Sequence, residues 1–83
     1  MTQTELNFCT LPANPFTSGT QCHALYEWLQ DGGEITLHEI HNVLHIDTAR
    51  IRCDVKRFLR RNGFTVECRR LGEGNSLYRV MRG

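Results

Sequence analysis

The residues best suited to chemistry lie between Arg50 and Arg61, a stretch that holds Arg50, Arg52, Lys56, Arg57, Arg60 and Arg61. Of the ten bases in the chain only Lys56 is a lysine. A guanidinium is a planar fork of donors that matches a phosphate or the major-groove edge of guanine, so this composition favours anion recognition over a merely solvated face. The formal net charge of +1 conceals the pattern. Residues 1–47 carry Glu5, Glu27, Asp31, Glu34, Glu39 and Asp47 with no Lys or Arg, a net of −6. Residues 48–83 carry all ten bases against Asp54, Glu67 and Glu73, a net of +7. Charge segregated in this way is the footprint of a nucleic-acid-binding surface, and double-stranded DNA is the expected partner.

Other chemistries are weaker in the same sequence. His38, His41 and His45 recur at helical spacing, and two histidines four apart can clamp a metal. The nearest further ligands are Cys9, Cys22 and His23, all distant in sequence, so neither a metal nor another cofactor is expected; the imidazoles read as an exposed face. Cys22-His23 places a thiol beside an imidazole in the first turn of an expected helix, where the helix N-terminus lowers a thiol pKa. No acyl-transfer motif or third group accompanies the dipeptide, so catalysis is the least expected class and the chain reads as a non-enzyme. Cys9, Cys22, Cys53 and Cys68 are widely spaced and form no C-x-x-C pair, which argues for free thiols over a disulfide framework or zinc finger. Trp28 falls at helical spacing with Leu25 and Leu29 and reads as core rather than a stacking platform.

The elements that must position the basic segment fit one domain, since 83 residues cannot fill two cores. An apolar content of 40% with 23% charged residues is ordinary for a soluble protein, and no apolar run approaches the ~20 residues that span a bilayer, so no membrane partner is expected. The opening MTQTELNF has neither a positive charge nor an apolar stretch, which predicts no secretory signal and a cytoplasmic location. Residues 1–17, with Pro12, Asn14 and Pro15, read as a partly flexible arm pinned by Phe8 or Phe16. The domain proper is expected over 18–83. Ser18 is the expected cap of a first helix with Gln21 as its N3 partner; Ala24, Leu25, Trp28 and Leu29 form its inward stripe, and Gly32-Gly33 ends it. Glu34-Ile35-Thr36 is a strand stub, and Thr36 with Glu39 makes a capping box for a helix over 37–44, with Leu37, Ile40 and Leu44 inward. After His45-Ile46, Asp47 is the expected cap of a third helix over 48–62, whose Ile51, Val55, Phe58 and Leu59 face inward before Gly63 stops it. Strands over 64–69 and 76–82, joined by a turn at 71–75, complete a hairpin.

The stretch ITLHEIHNVLHIDTARIRCDVKRFLRRNGFTV resembles the helix-turn-helix of bacterial winged-helix repressors and of small winged-helix proteins from phages and prophages. The matching positions are the capping Thr36, the apolar pair Leu44 and Ile46 across the turn, Asp47, the arginine-rich helix and Gly63-Phe64. The resemblance covers residues 18–82 and implies an α+β fold, a three-helix winged helix-turn-helix with a C-terminal β-hairpin wing. It also implies a small transcriptional regulator that inserts helix 48–62 in the major groove and uses the 64–82 hairpin as wing. Two features depart from the pattern: His45 stands where glycine is common, which predicts a less tight turn, and the arm lies outside it. Helical phase sets Ala49, Arg52, Cys53, Lys56 and Arg60 opposite the inward stripe. The expected base-reading residues are Thr48, Ala49, Arg52, Cys53 and Lys56, with Arg52 first for guanine. Arg50, Arg57, Arg60, Arg61, Arg69 and Arg70 are expected on phosphates. The competing reading is a phage-like interaction protein that modulates a host protein through the same scaffold. Glu27, Asp31, Glu34 and Glu39 repel DNA and suit a protein or homodimer surface, with the arm or first helix as the dimer contact.

Overall fold

Three threonines open the three helices of the described residues. In the computed structural model, which describes residues 11–82, Thr20 precedes α1 (Gln21–Gly32), Thr36 precedes α2 (Leu37–Asn42) and Thr48 precedes α3 (Ala49–Arg61). Each hydroxyl accepts from a backbone N–H of the first turn: that of His23 at 3.2 Å, Glu39 at 3.2 Å and Arg50 at 3.1 Å. At α2 the Glu39 carboxylate accepts in return from the Thr36 N–H at 2.9 Å, completing the capping box read from sequence. Two caps differ from expectation. Thr20 replaces Ser18, because Gly19 takes φ +91° and both the N–H and the hydroxyl of Thr20 donate to the Thr17 carbonyl, folding residues 17–20 into a turn ahead of the helix. Thr48 replaces Asp47, because Ile46 is buried with its N–H on the Ile40 carbonyl and Thr48 remains extended, so the helix begins one residue later.

Helix α2 is shorter than expected and stops at Asn42. The N–H groups of Val43 and Leu44 both donate to the Glu39 carbonyl, and His45 then enters the left-handed region at φ 56°. The turn is thus made without glycine. Its carbonyl accepts from Gln21 Nε2 at 2.9 Å, which ties the turn to α1.

Strands β1 (Glu34–Thr36), β2 (Phe64–Gly72) and β3 (Asn75–Arg82) form an antiparallel sheet in the order β1-β3-β2. Ile35 and Cys68 flank Tyr78 on either side. The hairpin is longer than the sequence suggests. Glu73 and Gly74, at φ 51° and 77°, make a two-residue turn of the primed type that matches strand twist, and a bulge between Arg70 and Gly72 adjusts the register. Leu71 therefore belongs to β2 rather than to the loop.

The core joins Leu25, Tyr26 and Leu29 of α1 to Ile35, Ile40, Ile46, Val55, Leu59, Phe64 and Val80. Tyr26, unmarked in the sequence, is 0% exposed, whereas Trp28 is half-buried at the edge of the core. The buried side of α1 is centred on Leu25, Tyr26 and Leu29, which leaves Trp28 around the helix. Tyr26 tolerates burial because its hydroxyl donates to the Pro12 carbonyl at 2.8 Å. Gln30 donates to the same oxygen at 2.9 Å, and Asn14 Nδ2 to the His23 carbonyl at 3.1 Å. Leu11 and Phe16 pack on the core, and the Phe16, Tyr26 and Phe58 rings meet edge to face with centroids 5.4–5.9 Å apart. The segment 11–17 is thus docked on α1 and α3 through Phe16. Phe8, the other expected pin, lies outside the described residues. No helix among the described residues is long and apolar enough to cross a membrane.

Candidate nucleic-acid interface

Helix α3 buries Val55 and Leu59 and half-buries Ile51 and Phe58, which is the stripe its sequence predicts. Away from that stripe, Thr48, Ala49, Arg50, Cys53, Lys56, Arg57, Arg60 and Arg61 are all exposed. Ala49, Cys53, Lys56 and Arg60 succeed one another at i, i+4, i+7 and i+11 along one side of the helix. Cys53, Lys56, Arg57 and Arg60 line an open groove with Thr65 and Val66 of β2, so this side is turned towards the hairpin. Arg50 and Arg61 lie further around the helix, with Arg57 between them and the groove. Asp54 approaches Arg57 there at 4.0 Å, an exposed i,i+3 pair of small energetic weight.

Arg52 requires a correction. Helical phase set it with the outward residues, but it lies half-buried at the seam between α3 and the sheet, with its guanidinium 5.7 Å from the centre of the Tyr78 ring. Arg52 precedes the buried Val55 by three residues, or ~60° around the helix, which swings it toward the sheet rather than away from the core. A cation over an aromatic face is attracted to it. Tyr78 is the partner that sequence reading missed; its position at alternate spacing with the buried Val80 on β3 was the available signal. Thr48 also differs from a free reader, since its hydroxyl already accepts from the Arg50 N–H.

On the hairpin, Arg69 and Arg70 are both exposed but on opposite faces. Phe64 and Val80 are buried, so alternation turns Val66, Cys68, Arg70, Ser76 and Tyr78 to the helices, and Glu67, Arg69, Leu77 and Arg79 away from them. Arg70 thus shares the face of Arg52's platform, and Arg69 does not. Two other bases of the sheet are engaged. Arg79 donates to Glu34 at 3.3 Å, and the Arg82 guanidinium lies 5.5 Å from the Phe64 ring centre.

The acids of α1, β1 and α2 occupy other surfaces. Glu27 and Asp31 border an open depression on α1 with Ala24, Trp28, Gln30 and Leu44. Glu34 pairs with Arg79, and Glu39 serves the capping box. His38, His41 and His45 are exposed, and His45 sits beyond the end of α2 in the left-handed turn, so the three do not share one helix face. Among the described residues no group of three or more His, Cys, Asp or Glu side chains is placed to hold a metal ion.

The thiols depart from the sequence expectation in one respect. Burial, and then the Asp54 carboxylate, push the Cys22 thiol above its ordinary pKa, the reverse of the helix N-terminal effect. Cys22 is therefore a poor nucleophile at neutral pH. Cys22, Cys53 and Cys68 are free thiols; Cys9 lies outside the described residues. Burial also pushes the Tyr26 phenol up to about 12. In comparisons with protein families, with curated proteins and with solved structures, the chain matches none.

Proposed function

We propose that the chain is a winged helix-turn-helix domain that binds double-stranded DNA as a small transcriptional regulator, with α3 in the major groove and the β2–β3 hairpin as wing. The observation that carries this reading is the exposed strip of Lys56, Arg57 and Arg60 along the groove beside β2, extended by Arg50 and Arg61, while the acids of α1 and α2 lie on other elements. In this reading Ala49, Cys53 and Lys56 face base edges, with Thr48 at the helix start. Arg52 reaches the bases from the Tyr78 ring, which restrains its guanidinium and lowers the entropy lost on contact. Arg50, Arg57, Arg60, Arg61, Arg69 and Arg70 hold phosphates, Arg69 and Arg70 from opposite sides of the wing.

Fluorescence anisotropy with a labelled duplex tests this directly. About six phosphate contacts give a slope of log K against log salt of about −5, so affinity should fall by roughly a thousandfold between 50 and 200 mM salt. Absence of duplex binding at the lower salt refutes the reading. The depression at Trp28 and Leu44, rimmed by Glu27 and Asp31, favours the second reading, a protein partner of basic character. A pull-down whose partner survives nuclease while duplex binding is absent decides for it.

A further inference from the structure

We propose that β2 is a self-association edge, on which a second copy of this chain pairs antiparallel about a two-fold axis through Cys68. Among the described residues, strand order β1-β3-β2 gives β2 one hydrogen-bonded neighbour and leaves its other edge open. Cys68, Arg69, Arg70 and Leu71 are exposed along it. The groups available on that edge follow from one bond. The Val80 N–H donates to the Gly33 carbonyl on the β1 side, so by alternation Leu77, Arg79 and Met81 turn their backbone groups to β2. Their partners Arg69, Glu67 and Thr65 are thus satisfied by β3, and Val66, Cys68 and Arg70 present N–H and C=O to the open edge. A row of unpaired backbone groups is a template for another strand.

The two-fold at Cys68 uses all three residues. Cys68 pairs with Cys68 of the partner subunit, and Val66 with Arg70 of the partner subunit, each pair exchanging both N–H···O bonds. Glu67 then stands opposite Arg69 of the partner subunit in the intervening non-hydrogen-bonded position, where side chains approach most closely, and symmetry repeats this pair. The face turned away from the helices becomes a ladder of alternating charge: Glu34, Arg79, Glu67 and then Arg69 of the partner subunit. Glu67 is suited to accept this partner because the Arg79 beside it is already bonded to Glu34. Sliding the register by one step either way sets Glu67 opposite itself or Arg69 opposite itself, so charge selects the Cys68 centre over its neighbours. On the helix-facing side, Arg70 of the partner subunit comes beside Val66 at the groove lined by Lys56, Arg57 and Arg60, a repulsion that opposes association. The pairing itself does not depend on the DNA-binding reading.

Sedimentation equilibrium of the full chain, without nucleic acid and under reducing conditions, tests the proposal. The wild type should show a monomer–dimer equilibrium. Glu67→Arg sets bases opposite bases and Arg69→Glu sets acids opposite acids, so each variant alone should raise the dimer Kd by roughly tenfold or more. An equimolar mixture sets opposite charges at both positions and should recover wild-type association as a heterodimer. Circular dichroism establishes that both variants fold, as expected for exposed positions. A wild type that stays monomeric at its highest soluble concentration overturns the proposal. Variants that dimerise like the wild type, or a mixture no stronger than either variant, overturn it equally. Duplex binding by a protein that stays monomeric would leave the proposed function standing and remove the edge pairing alone.

Discussion

Phe16→Ala is the sharpest probe of how the basic helix is held. Phe16 precedes α1, yet its ring meets Tyr26 of α1 at 5.8 Å and Phe58 of α3 at 5.9 Å, both edge to face. It therefore bridges the two helices that set the orientation of the arginine strip. Removing a fully buried phenylalanine costs ~3–5 kcal/mol. Phe16 is half-buried, which scales that to about half, and the two lost ring contacts bring the expected cost to ~2–3 kcal/mol. For a domain of this size the same loss lowers Tm by roughly 10–20 °C. Urea unfolding followed by Trp28 fluorescence and far-ultraviolet ellipticity measures it, with an unchanged m-value showing that the unfolded state is not altered. Phe16→Leu, which keeps much of the apolar volume, should lose roughly half as much and serves if the alanine variant is unfolded at 25 °C. A loss below ~0.5 kcal/mol for Phe16→Ala would refute the bridging role and leave residues 11–17 as a surface decoration.

Three further outcomes are expected. Arg57→Ala should weaken binding to all duplexes alike, whereas Lys56→Ala and Arg52→Ala should cost ~1–3 kcal/mol on a preferred site and relax its specificity; equal behaviour in competition anisotropy refutes the assigned roles. The Tyr26 phenol, raised from 10.0 to about 12, contributes stability that is fully present below pH 10 and is lost as pH rises through 12. That loss is roughly 2–3 kcal/mol in the wild type and absent in Tyr26→Phe. Tyr26→Phe, short of one hydrogen bond, should be about 1 kcal/mol less stable at pH 8, and parallel denaturation curves should show that gap close and reverse by pH 12. A gap that stays constant refutes the cause assigned to the shift. His45→Gly should stabilise the fold by up to ~1 kcal/mol in urea, because glycine adopts φ 56° without the strain of a side chain; a destabilised variant would show that the imidazole itself supports the turn.

The sequence by itself determined the order of the elements, the Thr36–Glu39 capping box, the inward stripe of α3 and the gathering of bases on α3 and the hairpin. Each is a local property: periodicity, a cap three residues from its partner, or charge counted along the chain. Tertiary structure decided what depends on distant neighbours. Thr20 and Thr48 displaced Ser18 and Asp47 as caps because turns at residues 17–20 and at buried Ile46 shifted the helix starts. Tyr26 entered the core because the Pro12 carbonyl, fourteen residues away, satisfied its hydroxyl. Arg52, ~60° around the helix from buried Val55, stands at the border of the stripe, and Tyr78, on a strand formed much later in the chain, gives it a partner at the seam. The arginine segment was legible from its composition, but which of its guanidinium groups stand free was settled by packing, since a side chain at the border of a helical stripe goes wherever a partner lies.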